Sequence, residues 1–445
     1  MTTSGDQVWE FSLRQGWVRI KLKYVASLKG RLGWQNLRAD EYTNEGPFLV
    51  TSEHFRDDMV DWDRCHHVTQ ERYEMAPEIQ LRPEDLLMMK DGAAMGKLAY
   101  INAIPGPACL NSHLLLFRPS KGRCLNRFVY FILLTPLFHS FMRQRRTGTT
   151  FYGITQESIE NFPISIPSVF AQMQIVQYLD CKTTEIDDLI SKKRRMIDLL
   201  HEKRQALISE VITKGLDPDV PMKASDTDWM GVVPSHWSVE RLKYSTTRIE
   251  QGWSPQCESR PADPEEWGVL KVGCVNGEDF NPEEQKALPS SLEPIEEYEI
   301  RSGDILMSRG NTRELVGSAA LVKRVRPRLL LCDLLYRFRS NRRAEPEFLV
   351  HSLRSPHARF QIEREATGTS SSMKKVGQET IRELLVCLPP LPEQRVILQH
   401  LRPELDRIKL ITKVIHEQIN KLREYRQTLI SAAVTGKIDV TQEIK

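Results

Sequence analysis

Two places along this 445-residue chain hold side chains that could do chemistry, and neither has the spacing for it. Gly92-Ala93-Ala94-Met95-Gly96-Lys97-Leu98 approaches a phosphate-cradling loop. It is one residue short, and Leu98 stands where a Ser or Thr must hold magnesium. A turn beside a strand is the expectation there. His54, Cys65, His66 and His67 are metal-binding types, but their spacing fits no zinc pattern and the second half of the chain lacks them. Ordinary side chains, with no metal, are expected. No Asp-Pro-Pro-Tyr-like tetrapeptide of amino-methyltransferases, no G-x-G-x-x-G loop and no nucleophile elbow occurs. No catalytic residue is therefore assigned, and binding is the chemistry that remains.

Basic and hydroxyl side chains cluster where binding to a phosphate backbone would need them. Arg143, Arg145 and Arg146 lead into Thr147-Gly148-Thr149-Thr150-Phe151-Tyr152. Further on, Thr367-Gly368-Thr369-Ser370-Ser371-Ser372 is followed by Lys374 and Lys375. Small hydroxyl residues around a glycine let donors approach phosphates, and adjacent Lys or Arg supplies charge. Lys90 in the first half, and Arg309, Asn311 and Arg313 in the second, form another pair of clusters. Arg pairs with guanine and Asn with adenine in the major groove, so the latter loop suits base readout. Lys323, Arg324, Arg326 and Arg328 make a third basic run.

These clusters recur because the chain is duplicated. Ile175 matches Ile397, Leu179 matches Leu401, Arg204-Gln205 returns as Arg426-Gln427, and each pair is 222 positions apart. That period is far longer than the roughly 20–50 residues of a solenoid unit. Each half opens on a Trp, Trp17 or Trp237, running into Leu-Lys-Tyr at 22–24 or 242–244. Apolar runs with acidic starts follow at Asp85-Leu86-Leu87-Met88 and Asp304-Ile305-Leu306-Met307. Helical stretches from Phe128 to Arg146 and Phe348 to Glu365 carry Pro136 and Pro356 in equivalent places. Short apolar segments separated by Gly and Pro predict a mixed α+β fold for each half.

After each globular part, prolines precede a long amphipathic stretch. Leu179, Ile186, Leu200 and Leu207 occupy one seven-residue row, interrupted by Lys193. Leu401, Ile408, Ile415, Leu422 and Leu429 fill the matching row completely. Ile175, Leu189, Met196, Ile397 and Ile411 suggest a neighbouring row. Matched heptads predict two long helices packed on each other as an antiparallel coiled coil, with pseudo-two-fold symmetry between the halves. Pro403 is expected to break or kink the second helix. The implied divisions are 1–165, 166–216, 217–388, 389–437 and a tail at 438–445.

Composition fits a binding protein of ordinary globular type, with 40% hydrophobic and 27% charged residues. A net charge of +3 requires any nucleic-acid surface to be local. Eight dispersed cysteines without a CxxC pair read as reduced thiols of a cytosolic protein. The most apolar run, Phe128 to Phe138, is too short to cross a bilayer, so no membrane contact is expected.

Several motifs together resemble the specificity subunit of type I restriction–modification systems. They are Pro389-Pro390-Leu391-Pro392-Glu393-Gln394 and Glu202-Lys203-Arg204-Gln205-Ala206-Leu207-Ile208-Ser209, with Thr435-Gly436, Trp229-Met230-Gly231 and Pro234 through Trp237. The first helix departs from the pattern, opening Pro167-Ser168-Val169-Phe170-Ala171-Gln172 and keeping Gln172 but not the Glu before it. The resemblance implies two target recognition domains, each reading half of a split, asymmetric site in double-stranded DNA. It implies helices that fix the unread spacer and dock two methyltransferase subunits, with restriction subunits joining them. S-adenosylmethionine, ATP and magnesium would belong to those partners and none to this non-catalytic chain, which would act in the cytoplasm. The competing expectation is a duplicated protein-interaction scaffold without DNA readout. Under the first reading, exchange of residues 1–160 with a relative changes one half-site only.

Overall fold

The computed structural model describes residues 14–30, 41–120, 122–148, 152–225, 227, 229–368 and 373–440. The chain forms two compact units, Met1–Arg194 with His416–Lys445, and Arg195–Ile415.

The first unit begins with β1 (Val18–Lys21) and β2 (Ala26–Gly30), then β3 (Thr43–Val50), the tight hairpin β4 (Phe55–Arg56) and β5 (Met59–Val60), and β6 (His66–His67). After α1 (Gln70–Glu74) come β7 (Leu86–Met89), β8 (Leu98–Tyr100), β9 (Ala108–Leu110) and β10 (Leu114–Pro119). Then α2 (Asn126–Leu133), α3 (Pro136–Arg145), α4 (Gln156–Glu160) and β11 (Pro163–Ile166) lead into α5 (Val169–Lys214). The main sheet has the order β2-β10-β7-β8 and is antiparallel throughout. Its central strand β7 is Leu-Leu-Met-Met, buried at all four positions. An unbroken apolar run is what a strand covered on both faces requires. A second sheet, β6-β3-β9, surrounds its own core of Leu49, Val50, Ile79, Leu110 and neighbours.

The second unit repeats the scheme. Strands β12 (Met222–Ala224), β13 (Val232–Pro234), β14 (Ser238–Arg241), β15 (Glu250–Gln251), β16 (Gly268–Leu270) and β17 (Gln285–Ala287) come first. Then come β18 (Ile305–Ser308), β19 (Gly310–Asn311), β20 (Ala319–Leu321), β21 (Leu329–Leu330) and β22 (Leu335–Phe338). They are followed by α6 (Pro346–Arg354), α7 (Pro356–Glu365), β23 (Lys374–Lys375), α8 (Gln378–Glu383), β24 (Leu385–Leu388) and α9 (Leu391–Val434). The sheet β15-β22-β18-β20 corresponds strand for strand to β2-β10-β7-β8.

Repeated side-chain bonds explain motifs that looked functional. The acidic residue ahead of the central strand caps a turn and anchors an arginine. Asp85 accepts from the Arg82 amide at 2.7 Å and from the Arg118 Nε at 2.8 Å. Asp304 accepts from the Arg301 amide at 2.8 Å and the Arg339 Nε at 2.7 Å. Each expected helical stretch is two helices. Thr135 and Ser355 cap α3 and α7, with Pro136 and Pro356 at the first turn, where a missing N–H costs nothing.

The glutamine shared by both helix starts is wholly buried. Gln172 donates to the Pro167 carbonyl at 3.0 Å and the Arg123 carbonyl at 3.2 Å, and accepts from the Leu125 amide at 3.0 Å. Gln394 repeats this with Pro389 at 2.8 Å, Arg343 at 3.0 Å and the Glu345 amide at 2.7 Å. The motif thus ties the start of a long helix to the turn that begins α2 or α6. Gln394→Ala leaves one buried and two part-buried backbone groups without this partner, and a loss of about 1–3 kcal/mol is expected, read as a lower denaturant midpoint. Glu393 accepts from the Trp237 indole N–H at 3.0 Å. The first helix has Ala171 there, the departure already visible in its motif.

The long helices run 46 and 44 residues, and α9 continues through Pro403. Of the break or kink expected at Pro403, a break does not occur: Pro403 and the residue four before it, Gln399, lie on the exposed face, where the carbonyl left without a partner is open to solvent. In the first unit the two helices are antiparallel. Lys193 Nζ donates to Gln418 Oε1 at 2.6 Å, while Asp187 pairs with Arg426 at 3.0 Å. In the second unit Ile208, Val211 and Ile212 share a core with Ile397, Leu398 and Leu401.

Of the first heptad row, Leu179, Ile186, Leu401, Ile408, Ile415 and Leu429 are buried, and Leu200, Leu207 and Leu422 are half-buried. The neighbouring row needs correction. Ile175 and Ile397 are buried, but Leu189, Met196 and Ile411 are exposed. The second buried row is Thr183, Ile190, Ile197, Arg204 and Val211, matched by buried Ile419 and Ala433 and half-buried Leu405, Thr412 and Arg426. Its polar members hid it from an apolar pattern. Arg204 is held by Glu278 at 3.2 Å, as Arg426 is by Asp187.

The described cysteines form no disulfide: Cys65, Cys109, Cys124, Cys274, Cys332 and Cys387 are buried, Cys257 is half-buried and Cys181 exposed. Burial pushes the Cys124 and Cys387 thiols up to about 12, so they are inert.

Candidate nucleic-acid interface

In each unit the structure joins two clusters that are about sixty residues apart in sequence. In the first, the segment after α3 folds back on itself, with Thr147 and Gly153 exchanging hydrogen bonds of 2.9 and 3.0 Å. Its returning limb then pairs with the loop that follows β7. The Gly92 amide donates to the Tyr152 carbonyl at 2.9 Å, and the Ile154 amide to the Lys90 carbonyl at 2.9 Å. The second unit does the same after α7. Thr367 and Lys375 exchange bonds of 2.9 Å, and β23 pairs with β19 through Gly310↔Lys375 and Asn311↔Lys374. Gly148 and Gly368 sit at φ of +98° and +135°, and a Cβ on Gly368 would lie 2.6 Å from the Met373 carbonyl oxygen. Only glycine makes that turn without strain.

The first surface is strongly basic. Arg143, Arg145 and Arg146 are all exposed at or beyond the last turn of α3, and among the described residues none has a carboxylate partner. The Arg146 guanidinium stacks over the Tyr152 ring at 4.0 Å. Lys90 lies half-buried in the facing loop, beside an Asp91–His113 pair at 2.7 Å. Thr147 belongs to the paired base of the hairpin, whereas Thr149 and Thr150 lie outside the described residues.

On the second surface Arg313 and Lys375 are exposed. Lys374 Nζ donates to the Gly368 carbonyl at 2.5 Å, and Arg309 is half-buried with Nη1 3.4 Å from the Asp333 carbonyl. Thr369, Ser370 and Ser371 lie outside the described residues. Asn311 is buried, donating to Asn276 Oδ1 at 2.8 Å and accepting from the Thr312 amide at 2.9 Å, so one donor and one lone pair of its amide support the loop. Lys323, Arg326 and Arg328 of the third basic run are likewise engaged by protein, through Glu347, the Glu266 carbonyl and Glu265.

Two arginines that sequence reasoning missed serve the second surface. Arg354 donates to the Ala319 carbonyl at 2.5 Å and the Glu278 carbonyl at 2.8 Å, and also to Gly277. Arg359 donates to the Arg313 carbonyl at 3.0 Å and to the Val316 carbonyl. Carbonyl acceptors leave no trace in a sequence, so only their position at helix ends beside a basic loop hinted at them.

At the two places considered for chemistry the side chains are engaged by protein groups. Gly92 to Lys97 is the turn between β7 and β8, and Lys97 Nζ donates to the Phe55 carbonyl at 2.6 Å. Glu53, His54 and His66 bring ligand-type atoms within 4.8 Å of one another. Yet His54 Nδ1 accepts the Thr51 amide at 3.0 Å, which puts the ring proton on Nε2, the nitrogen facing Glu53 and His66. That tautomer cannot offer Nε2 to a metal. Burial also holds the His54 pKa down, and the bonds Glu53 accepts from His66 and Thr51 lower its own. Cys65 points elsewhere, its thiol 3.4 Å from the Asp61 carbonyl. No helix of the described residues is long and apolar enough to cross a membrane.

Comparison with known proteins agrees with this geometry. The model of the type I restriction modification DNA specificity domain matches residues 16–197 and 258–421. The EcoKI specificity subunit of Escherichia coli K12 is 22% identical over 96% of this chain and 90% of its own length. The EcoEI specificity subunit of Escherichia coli is 26% identical over 54% of this chain, a match spanning 39% of that subunit. A chain from a structure on complex assembly and conformational transition of the type I R-M system shares the fold. Its TM-score is 0.68 at 16% identity, covering 96% of this chain and all of that one. Two matched domains, each carrying the same paired loops beside a long helix, make this chain a member of the type I restriction–modification DNA specificity family.

Proposed function

We propose that each unit presents one DNA-reading surface, the hairpin after α3 or α7 laid against the loop after β7 or β18, and that the two surfaces read separate halves of one site. The observation that carries this is the occurrence of the same pairing twice, each time gathering basic side chains from distant segments. Arg143, Arg145, Arg146 and Lys375 would contact phosphates, and Arg309 and Arg313 are the groups suited to base edges. The chain would do no chemistry.

Adenine methylation would fall to methyltransferase subunits carrying S-adenosylmethionine, and cleavage to restriction subunits using ATP and magnesium, in the cytoplasm. The seam residues face inward, so the docking surface for methyltransferase subunits is better sought on the exposed apolar residues of the helices. In the second unit these include Met196, Leu199, Leu410, Ile411 and Val414. In the first they include Phe170, Leu189 and Tyr425.

Binding of the assembled complex to DNA should weaken steeply with salt. Replacing Arg143, Arg145 and Arg146 together by Ala should lower affinity alike for all sequences and reduce the log–log salt slope by about 0.9 per lost phosphate contact. An unchanged slope would remove these residues from the interface. A footprint showing no protected bipartite site, with methyltransferase subunits present, would favour a protein scaffold instead.

A further inference from the structure

The two reading loops are not held in the same way. The corner between α6 and α7 in the second unit carries Arg354 and Arg359, and the equivalent corner in the first carries Leu134 and His139, each 220 positions earlier. In the first unit the neighbour of the loop is soft. The Cβ position of Gly96 lies 2.5 Å from the end of Met142 and 3.6 Å from His139 Nδ1. In the second, two guanidinium groups bind the backbone directly.

Arg359 takes the carbonyls of Arg313 and Val316, spanning the loop that follows β19, and its Nη2 also lies 3.2 Å from Glu363 Oε1. Glu363 Oε2 is in turn 3.8 Å from Arg313 Nε. Arg354 takes the carbonyls of Val275, Gly277 and Glu278, in the segment whose Asn276 holds Asn311. A planar guanidinium with several donors fixes a loop far better than one flexible ammonium, because its geometry is rigid. Loops held before contact lose less freedom on binding, and each reading side chain keeps one orientation.

We propose that Arg354 and Arg359 are positioning residues for sequence reading by the second unit: Arg359 clamps the reading loop at Arg313 and Val316, and Arg354 clamps the segment around Asn276 that holds Asn311, so that discrimination in one half of the DNA site depends on groups that do not touch DNA. This rests on the reading of the loops as DNA-reading surfaces.

The test uses the full chain assembled with its methyltransferase subunits, and maps methylated adenines to obtain the native motif. Arg359→Met, which keeps bulk and removes donors, should lower the preference for the native site over single-base variants by about ten-fold or more in one half only. Arg313→Ala should affect the same half, and the double variant should lose little beyond either single change. Arg359→Lys, with one donor direction at a time, should fall between. Should Arg359→Met prove insoluble, Glu363→Gln carries the same expectation, since it loosens both Arg359 and Arg313.

An unchanged motif in the soluble variant, or equal loss of discrimination in both halves, overturns the clamp. A native complex that yields no bipartite motif overturns the DNA-reading assignment itself, a separate outcome from failure of the clamp.

Discussion

Exchange of residues 26–162 for the corresponding segment of a relative should replace one half of the DNA target and leave the other half intact. The structure places these cuts. Strand β1 pairs with β11 from Val18↔Ile166 to Lys21↔Pro163, so both strands should stay. Arg14 pairs with Asp439 at 2.5 Å, and Trp17 packs against Gly436, so the residues before β1 belong to the end of α9 and should stay as well. The exchanged piece carries its own core, its own hairpin and Lys90. Gln172 crosses the later cut, but it bonds to main-chain atoms at 123 and 125, which any relative supplies. Each mismatched base pair costs about 1–3 kcal/mol, so three altered pairs should cut affinity for the old site about a hundred-fold or more. Mapping methylated adenines in cells carrying the chimera gives the answer. A change in both halves would mean that the surfaces do not read independently.

Inserting seven residues into both helices, after 194 and after 416, should lengthen the tolerated spacer without altering either half-site. Those positions are repeat equivalents and lie at, or one residue beyond, the boundaries of the units. Seven residues add about 10 Å at 1.5 Å each, or about three base pairs at roughly 3.4 Å. Seven also keeps the seam in phase, within about 20°. Five residues turn the following segment by about 140° and would carry Ile197, Ile419 or Leu429 toward water. That variant should lose soluble complex, and the difference between seven and five separates a length effect from mere disruption. If the seven-residue insertion assembles yet keeps the native spacer, the helices do not set it.

Much of this was legible in local pattern. The period of the duplication, the row from Leu401 to Leu429 and the turn glycines at 148 and 368 follow from spacing alone. The second seam row was not, because Thr183, Arg204, Thr412 and Arg426 break the apolar stripe. Burial of Arg204 is decided by Glu278, which lies outside the helix altogether. The helix expected to break or kink at Pro403 is unbroken there for a similar reason: exposure of that face is a property of packing, and the residue type is silent about it.

Sequence by itself determined that this chain has two equivalent globular parts, each followed by a long heptad helix, since hydrophobic period and turn chemistry act over a few residues. Tertiary structure alone decided that Lys90 meets the hairpin at 147–153, that Arg309 meets Lys375, and that Asn311 turns inward. The first two meetings are made by main-chain hydrogen bonds, and the third by the side chain of Asn276, in a distant segment; a peptide N–H or carbonyl is the same at every position, so no residue pattern announces where it will bond.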